Sequence, residues 1–182
     1  MIMIYLFLAD GFEEIEALTI VDVLRRANLQ VKTVSVTDSL TVKGAHGISV
    51  ISDALFGNCS FDKVKALVLP GGMPGAETLG KHKGLTELLK EYHNTDTVLA
   101  AICAAPMVFG QLGLLKGKKA VAYPGFEPKL EGASIQNDLV VVDGKIITGK
   151  GPAAALPFAL KLAEVLASKE TANQLRKDMC VE

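Results

Sequence analysis

Large rings are scarce in this sequence: aromatic residues make up 5% of it against 49% hydrophobic overall. The core must therefore be built from Ala, Val, Leu and Ile, a mixture that suits buried parallel strands in an α/β domain. An excess of charge of either sign is also missing, with 19 Lys and Arg against 20 Asp and Glu. Nothing pulls such a chain onto phosphate backbones or anionic membranes, so neither nucleic acid nor a membrane surface is an expected partner. Cysteine is sparse and odd in number: Cys59, Cys103 and Cys180 are widely spaced, with no CxxC and no histidine at ligand spacing. That pattern argues against a disulfide framework and a zinc site, and it fits a reducing, cytoplasmic setting. Walker and dinucleotide spacings are absent as well, so no cofactor or metal is expected.

No repeat, low-complexity tract or linker interrupts the 182 residues, which read as one domain, long enough to bury roughly two-thirds of the unfolded surface. The apolar start, "MIMIYLFLAD", lacks a basic segment and a small-residue cleavage site and reads as a first strand. Residues 97 to 115 approach the length of a membrane span, yet Pro106, Gly110, Gln111 and Gly113 crowd their second half. A strand followed by a helix explains that run better.

Elsewhere short β-rich runs alternate with segments of helical period. "IYLFLA" (4 to 9) precedes a helix over 13 to 27, whose apolar positions are Ile15, Leu18, Ile20, Val21 and Leu24, and "QVKTVSV" (30 to 36) completes a βαβ unit. "KALVLP" (65 to 70) is a third strand, residues 85 to 93 a helix, and "TVLAAI" a fourth strand. Weaker strands are expected around "KAVAY", "LVVVDG" and "KIITG", with Asp143-Gly144 as a hairpin turn, before one or two closing helices. The expected fold is α/β, a flavodoxin-like, doubly wound, mostly parallel sheet of the kind found in class I glutamine amidotransferases. In such sheets function sits beyond the carboxyl ends of the strands, which selects "ADGFEE", "PGGMPGAE" and the turn at Cys103.

Cys103 falls between a strand and a helix, the setting of a nucleophile elbow, with Ala100, Ala101, Ala104 and Ala105 as the small neighbours a tight turn requires. Facing a helix start would favour thiolate. A free cysteine in an apolar run also serves as core filler, whereas Cys59 and Cys180 lack any such setting and read as incidental. Gly72 in "PGGMPG" leaves backbone N–H groups free to turn toward a negative oxygen, together with the Ala104 N–H. Glu13 and Glu14 complement the helix dipole. Glu16, three residues beyond Glu13, is placed to turn toward the sheet ends, where burial would keep its proton on.

The motifs "GFEEIE", "VDVLRRA", "ALVLPGG", "AAICAAP" and "TGKGPAAALPFALKLAE", in order along essentially the whole chain, resemble the ThiJ/PfpI superfamily in its Parkinsonism-associated branch. The resemblance implies that Cys103 is the reactive elbow cysteine, Glu16 the protonated glutamate, Gly72 and Ala104 the backbone donors, and the assembly a homodimer. Two positions depart from the pattern. Tyr123 stands where many members of the branch carry a histidine, so the base is either missing or replaced by the Tyr123 phenol, and Ala104 stands where the protease branch has a histidine. All three histidines, His46, His82 and His93, precede Cys103, so a glutaminase-type triad is not available either. His46 is the candidate to approach the site across a dimer interface, while His82 and His93 flank a surface helix and read as solvated.

The resemblance implies a cysteine-dependent, cofactor-free glyoxalase or deglycase acting on small reactive aldehydes such as methylglyoxal, or on early glycated groups. A sensor or redox-regulated chaperone working through oxidation of Cys103, and an interaction module with an inert cysteine, are the alternatives.

Overall fold

A computed structural model describes residues 2–181 of the chain. Its first unit is β1 (Met3–Leu8), α1 (Glu14–Arg26) and β2 (Val31–Ser35). β1 and β2 pair in parallel from Ile4 opposite Val31 to Leu8 opposite Ser35. Helix α1 buries Ile20, Val21 and Leu24, as its period predicts, but leaves Ile15 58% and Leu18 44% exposed. An antiparallel ribbon follows, β3 (Thr41–Lys43) with β4 (Ser49–Ile51), and then β5 (Ala54–Leu55) at the edge of the main sheet.

Strand β6 (Val64–Leu69) leads through a glycine-rich turn into α2 (Gly75–Lys81) and α3 (Lys83–His93). The sequence reading has no counterpart for α2, and it starts α3 two residues late. Strand β7 (Val98–Ile102), buried throughout, passes through Cys103 to α4 (Pro106–Gln111), which has Pro106 at its start as a helix N-terminus allows. Helix α4 is short because Gly113 turns the chain with φ +72°. Of "KAVAY" only β8 (Lys119–Ala120) pairs, outside the main sheet, with β9 (Ser134–Ile135). β10 (Val140–Asp143) and β11 (Ile146–Gly149) form the hairpin expected at Asp143-Gly144, before α5 (Ala155–Leu166) and α6 (Lys169–Asp178).

The seven-stranded sheet runs β10-β11-β7-β6-β1-β2-β5 and is parallel except at β10. Helix α1 packs on α5, which carries α6, and α2 packs on α3 and α4. This is the doubly wound, flavodoxin-like α/β architecture that strand–helix alternation implies. From β1 the chain first builds outward to β2 and then returns to β6 on the other side. The crevice beyond the carboxyl ends of β1 and β6 is the switch point where such folds place ligands. Among the described residues, no helix is long and apolar enough to cross a membrane.

Candidate active site

Three strand ends meet at that crevice. Cys103 follows β7 with φ +65°, a left-handed backbone that costs a non-glycine residue energy and persists only where the surroundings enforce it. Here both sides do: the Cys103 N–H donates to the Gly149 carbonyl at 2.9 Å, and the Cys103 carbonyl accepts from the Tyr123 N–H at 2.8 Å. The elbow is therefore locked by β11 on one side and by the Tyr123 segment on the other.

Glu16, in the first turn of α1, is completely buried, and its Oε2 accepts the Gly71 N–H at 2.7 Å. A Cβ on Gly71 would stand 2.6 Å from Cys103 Cβ, 2.7 Å from Glu16 Oε2 and 3.0 Å from Cys103 Sγ. The thiol, the carboxyl and this glycine thus share one small space, and only a residue without a side chain fits between them. Gly72 has φ +89°, and a Cβ there would lie 2.4 Å from the Glu13 nitrogen and the Gly11 oxygen. The Gly72 and Ala104 N–H groups lie close enough to Cys103 Sγ to favour its charged form.

The electrostatics differ from the sequence expectation. Burial raises Glu16 to about 7, against the opposing hydrogen bonds of the Gly71 N–H and Cys103, and the charge of Glu13 adds to the rise. Burial and then the Glu16 carboxylate push the Cys103 thiol up to about 12, while the Gly72 and Ala104 N–H groups pull it down. The expected lowered pKa is corrected accordingly: Cys103 is 8% exposed, and the cost of charge in that space outweighs the dipoles. The two acids face each other and are best treated as a pair. With the proton on Glu16 the repulsion vanishes and its O–H becomes a donor toward sulfur.

Glu13 does more than complement a dipole. Its Oε2 caps α1 by accepting the Glu16 N–H at 2.7 Å, and its own N–H donates to the Gly71 carbonyl at 2.9 Å, fixing Glu16 against the turn. Gly71, Glu13 and Gly149 are the site residues that sequence reasoning passed over. Gly71 was legible as the partner of Gly72 in "PGG", whereas Glu13 carried no signal because glutamate is not a preferred cap.

Two candidates stand apart from the thiol. His46, in the β3–β4 loop, binds Glu14 through Nδ1 at 2.9 Å and its backbone N–H at 2.7 Å, and its hydrogen-bond partner is Glu14 rather than Cys103 or Glu16. Tyr123 touches the elbow through its backbone, and the residue is 46% exposed, with its ring beside Gly151. The solvated reading of the other histidines is corrected. His82 is half-buried against Phe56 and caps α3 by accepting the Leu85 N–H at 3.0 Å, and His93 is likewise half-buried.

Similarity to known proteins converges on the same architecture. The DJ-1/PfpI family profile matches residues 3–165. Protein dj-1beta of Drosophila melanogaster is 36% identical over 96% of this chain and 94% of its own length. The Caenorhabditis elegans protein named glutathione-independent glyoxalase DJR-1.2 is 33% identical over 94% and 92%. Protein DJ-1 homolog B of Arabidopsis thaliana is 40% identical over 92% of this chain, which spans 39% of that longer relative. The solved structure of Toxoplasma gondii DJ-1 in an oxidized form superposes with a TM-score of 0.94 at 39% identity, covering 99% of this chain and 98% of that one. With the family profile matching residues 3–165 and relatives and solved structures matching over nearly their whole length, the chain belongs to the DJ-1/PfpI family, in its DJ-1 branch.

Proposed function

We propose that the protein is a cofactor-free glyoxalase that uses Cys103 to convert a small 2-oxoaldehyde such as methylglyoxal into the 2-hydroxy acid. The observation that carries this reading is the placement of Cys103 Sγ against a buried, proton-holding Glu16 and the N–H groups of Gly72 and Ala104. A relative named as a glutathione-independent glyoxalase supports it.

The chain's residues suffice for each step. Thiolate sulfur bonds to the aldehyde carbon, the carbonyl pair moves to oxygen, and that oxygen takes the proton of Glu16, giving a hemithioacetal. The Glu16 carboxylate then removes the hydrogen of that carbon and returns a proton to the adjacent carbon, while the hemithioacetal hydroxyl proton passes to the ketone oxygen, so the first carbon is oxidised to a thioester as the second is reduced to an alcohol. Water cleaves the thioester and restores the thiol. The sum is 2-oxoaldehyde plus water to 2-hydroxy acid, with no external oxidant. N–H groups around the sulfur hold the developing oxyanions. With Tyr123 in place of a histidine, Glu16 carries every proton, and a modest rate is expected. Early glycated groups on proteins present the same hemithioacetal chemistry and are the second substrate class, and the protein works as a homodimer in the cytoplasm.

Lactate measured from methylglyoxal without glutathione tests the reading: wild type forms it, and Cys103→Ala and Glu16→Gln fall to background. No lactate from the wild-type protein rejects it. A second reading, redox sensing, is favoured by the solved Toxoplasma relative described as oxidized. Two equivalents of hydrogen peroxide would convert the Cys103 thiol to a sulfinic acid with release of two waters, the product being held by Glu16 and the same N–H groups. Mass spectrometry of peroxide-treated protein should then find two added oxygens on Cys103, and their absence would remove this role.

A further inference from the structure

Where the β3–β4 loop meets α1, a second group of donors converges on a point that the thiol chemistry does not use. We propose that Glu13, Glu14 and His46 form a binding site for a divalent first-row cation, of which Zn²⁺ is the natural probe.

The three residues offer one ligand atom each, all within 4.8 Å of one another. His46 Nδ1 lies 2.9 Å from Glu14 Oε2 and 3.9 Å from Glu13 Oε1. Those spacings bracket the ~3.4 Å between ligands in a tetrahedral zinc shell with bonds near 2 Å. One imidazole nitrogen and two carboxylate oxygens are a donor set that zinc accepts.

Burial separates this group from an ordinary surface cluster. The Glu13 and Glu14 side chains are 8% and 6% exposed, while His46 is 72% exposed, so within one chain the site is closed at its base and open on the His46 side. That is the shape of a three-ligand site with a free position. Glu13 supplies an independent observation. Its Oε2 is committed to the Glu16 N–H, but its Oε1 has no hydrogen-bond partner among the described residues and points toward His46 Nδ1. That oxygen, on a side chain that is itself 8% exposed, is available as a ligand on the side that faces His46.

Neighbouring groups hold the ligands in place. Glu14 Oε1 accepts the backbone N–H groups of His46 at 2.7 Å and Ile48 at 3.4 Å, leaving Oε2 directed at the cation and shared only with His46 Nδ1. Binding frees the Nδ1 lone pair, and the proton that joins Nδ1 to Glu14 Oε2 leaves to solvent. The carboxylates lie some thirty residues from His46 in sequence, joined by the Phe12–Gly44 bridge and the Ala45 N–H to Phe12 carbonyl bond at 2.8 Å. Cysteine spacing gives no hint of such a site.

Chelator-stripped protein should bind Zn²⁺ saturably at one per chain by titration calorimetry, and its thermal midpoint should rise with Zn²⁺ concentration. The same binding should survive in a variant carrying Cys59→Ser, Cys103→Ala and Cys180→Ser. It should weaken roughly tenfold or more in His46→Gln and in Glu13→Gln, as loss of a ligand requires. Co²⁺ should give ligand-field absorption without thiolate charge transfer. Binding that disappears with the cysteines, that is untouched by His46→Gln, or that never saturates would overturn the proposal. His46→Gln changes an exposed loop residue, so it tests the site even if Glu13→Gln folds poorly, and no outcome depends on glyoxalase activity.

Discussion

At the residue scale, Glu16 determines much of the chemistry. Its carboxyl is fully buried and raised by that burial to about 7 from 4.5, so the folded state holds a proton that the unfolded chain has released. The sign follows from proton counting. The contribution to stability is complete below pH 4.5, shrinks as pH rises, and is gone above about 7, amounting to about 3 kcal/mol across that window. Glu16→Gln has no such proton to lose. In chelator-treated protein, urea unfolding at pH 5 and pH 8 should show wild type losing clearly more stability than Glu16→Gln, and equal losses would mean that Glu16 is ionised throughout. The position of Glu16 was readable from its spacing after Glu13, as was the elbow at Cys103. The thiol's protonation was not readable, because sequence shows the dipole in front of Cys103 but not the burial and the carboxyl behind it.

At the scale of elements, what the sequence displayed depended on how much each element relies on its own residues. β6 and β7 are continuous apolar runs, and α1 has a clear period, so all three were legible. α2 was not, since Pro74, Gly75 and Gly80 read as a loop. It is helical because burying Ala76 and Leu79 outweighs weak propensity, and Gly80 lets it approach α4, a Cβ there lying 3.3 Å from Val108 Cγ2. The attachment of the β3–β4 ribbon to α1 was equally hidden, because Glu14 achieves it with a carboxylate that looked like a dipole partner. Burial works to raise Glu14, but the hydrogen bonds of the His46 side chain and backbone outweigh it and hold the carboxyl below its usual range. Glu14→Ala should leave the His46 and Ile48 N–H groups without their acceptor, at about 1–3 kcal/mol. Hydrogen exchange should accelerate in the ribbon while β1 and β6 stay protected; unchanged exchange at His46 and Ile48 would show that the carboxylate is not what holds the ribbon.

At the scale of the whole molecule, the residues that break the amphipathic pattern of α1 argue for association. Leu18 at 44% exposed and Ile51 at 78% line one cleft with Val21 and Val50, and Ile15 and Ile48, 58% and 55% exposed, flank it on the same helix and ribbon. A monomer rarely leaves a contiguous apolar patch of this kind in water. A two-fold contact lets a single patch cover itself, so a second copy of the chain is the occupant we infer. Light scattering after size exclusion should give a dimer for wild type and a monomer for Ile51→Glu. Ile51 makes little of its contact within one chain, so the variant should keep its circular dichroism and lose only its partner. A wild-type monomer, or an Ile51→Glu dimer of unchanged affinity, would move the interface elsewhere. The ribbon reaches this patch only because Glu14 binds the His46 loop to α1. Glu14→Ala should therefore weaken the dimer as well, joining the substitution beside the thiol site to the state of assembly.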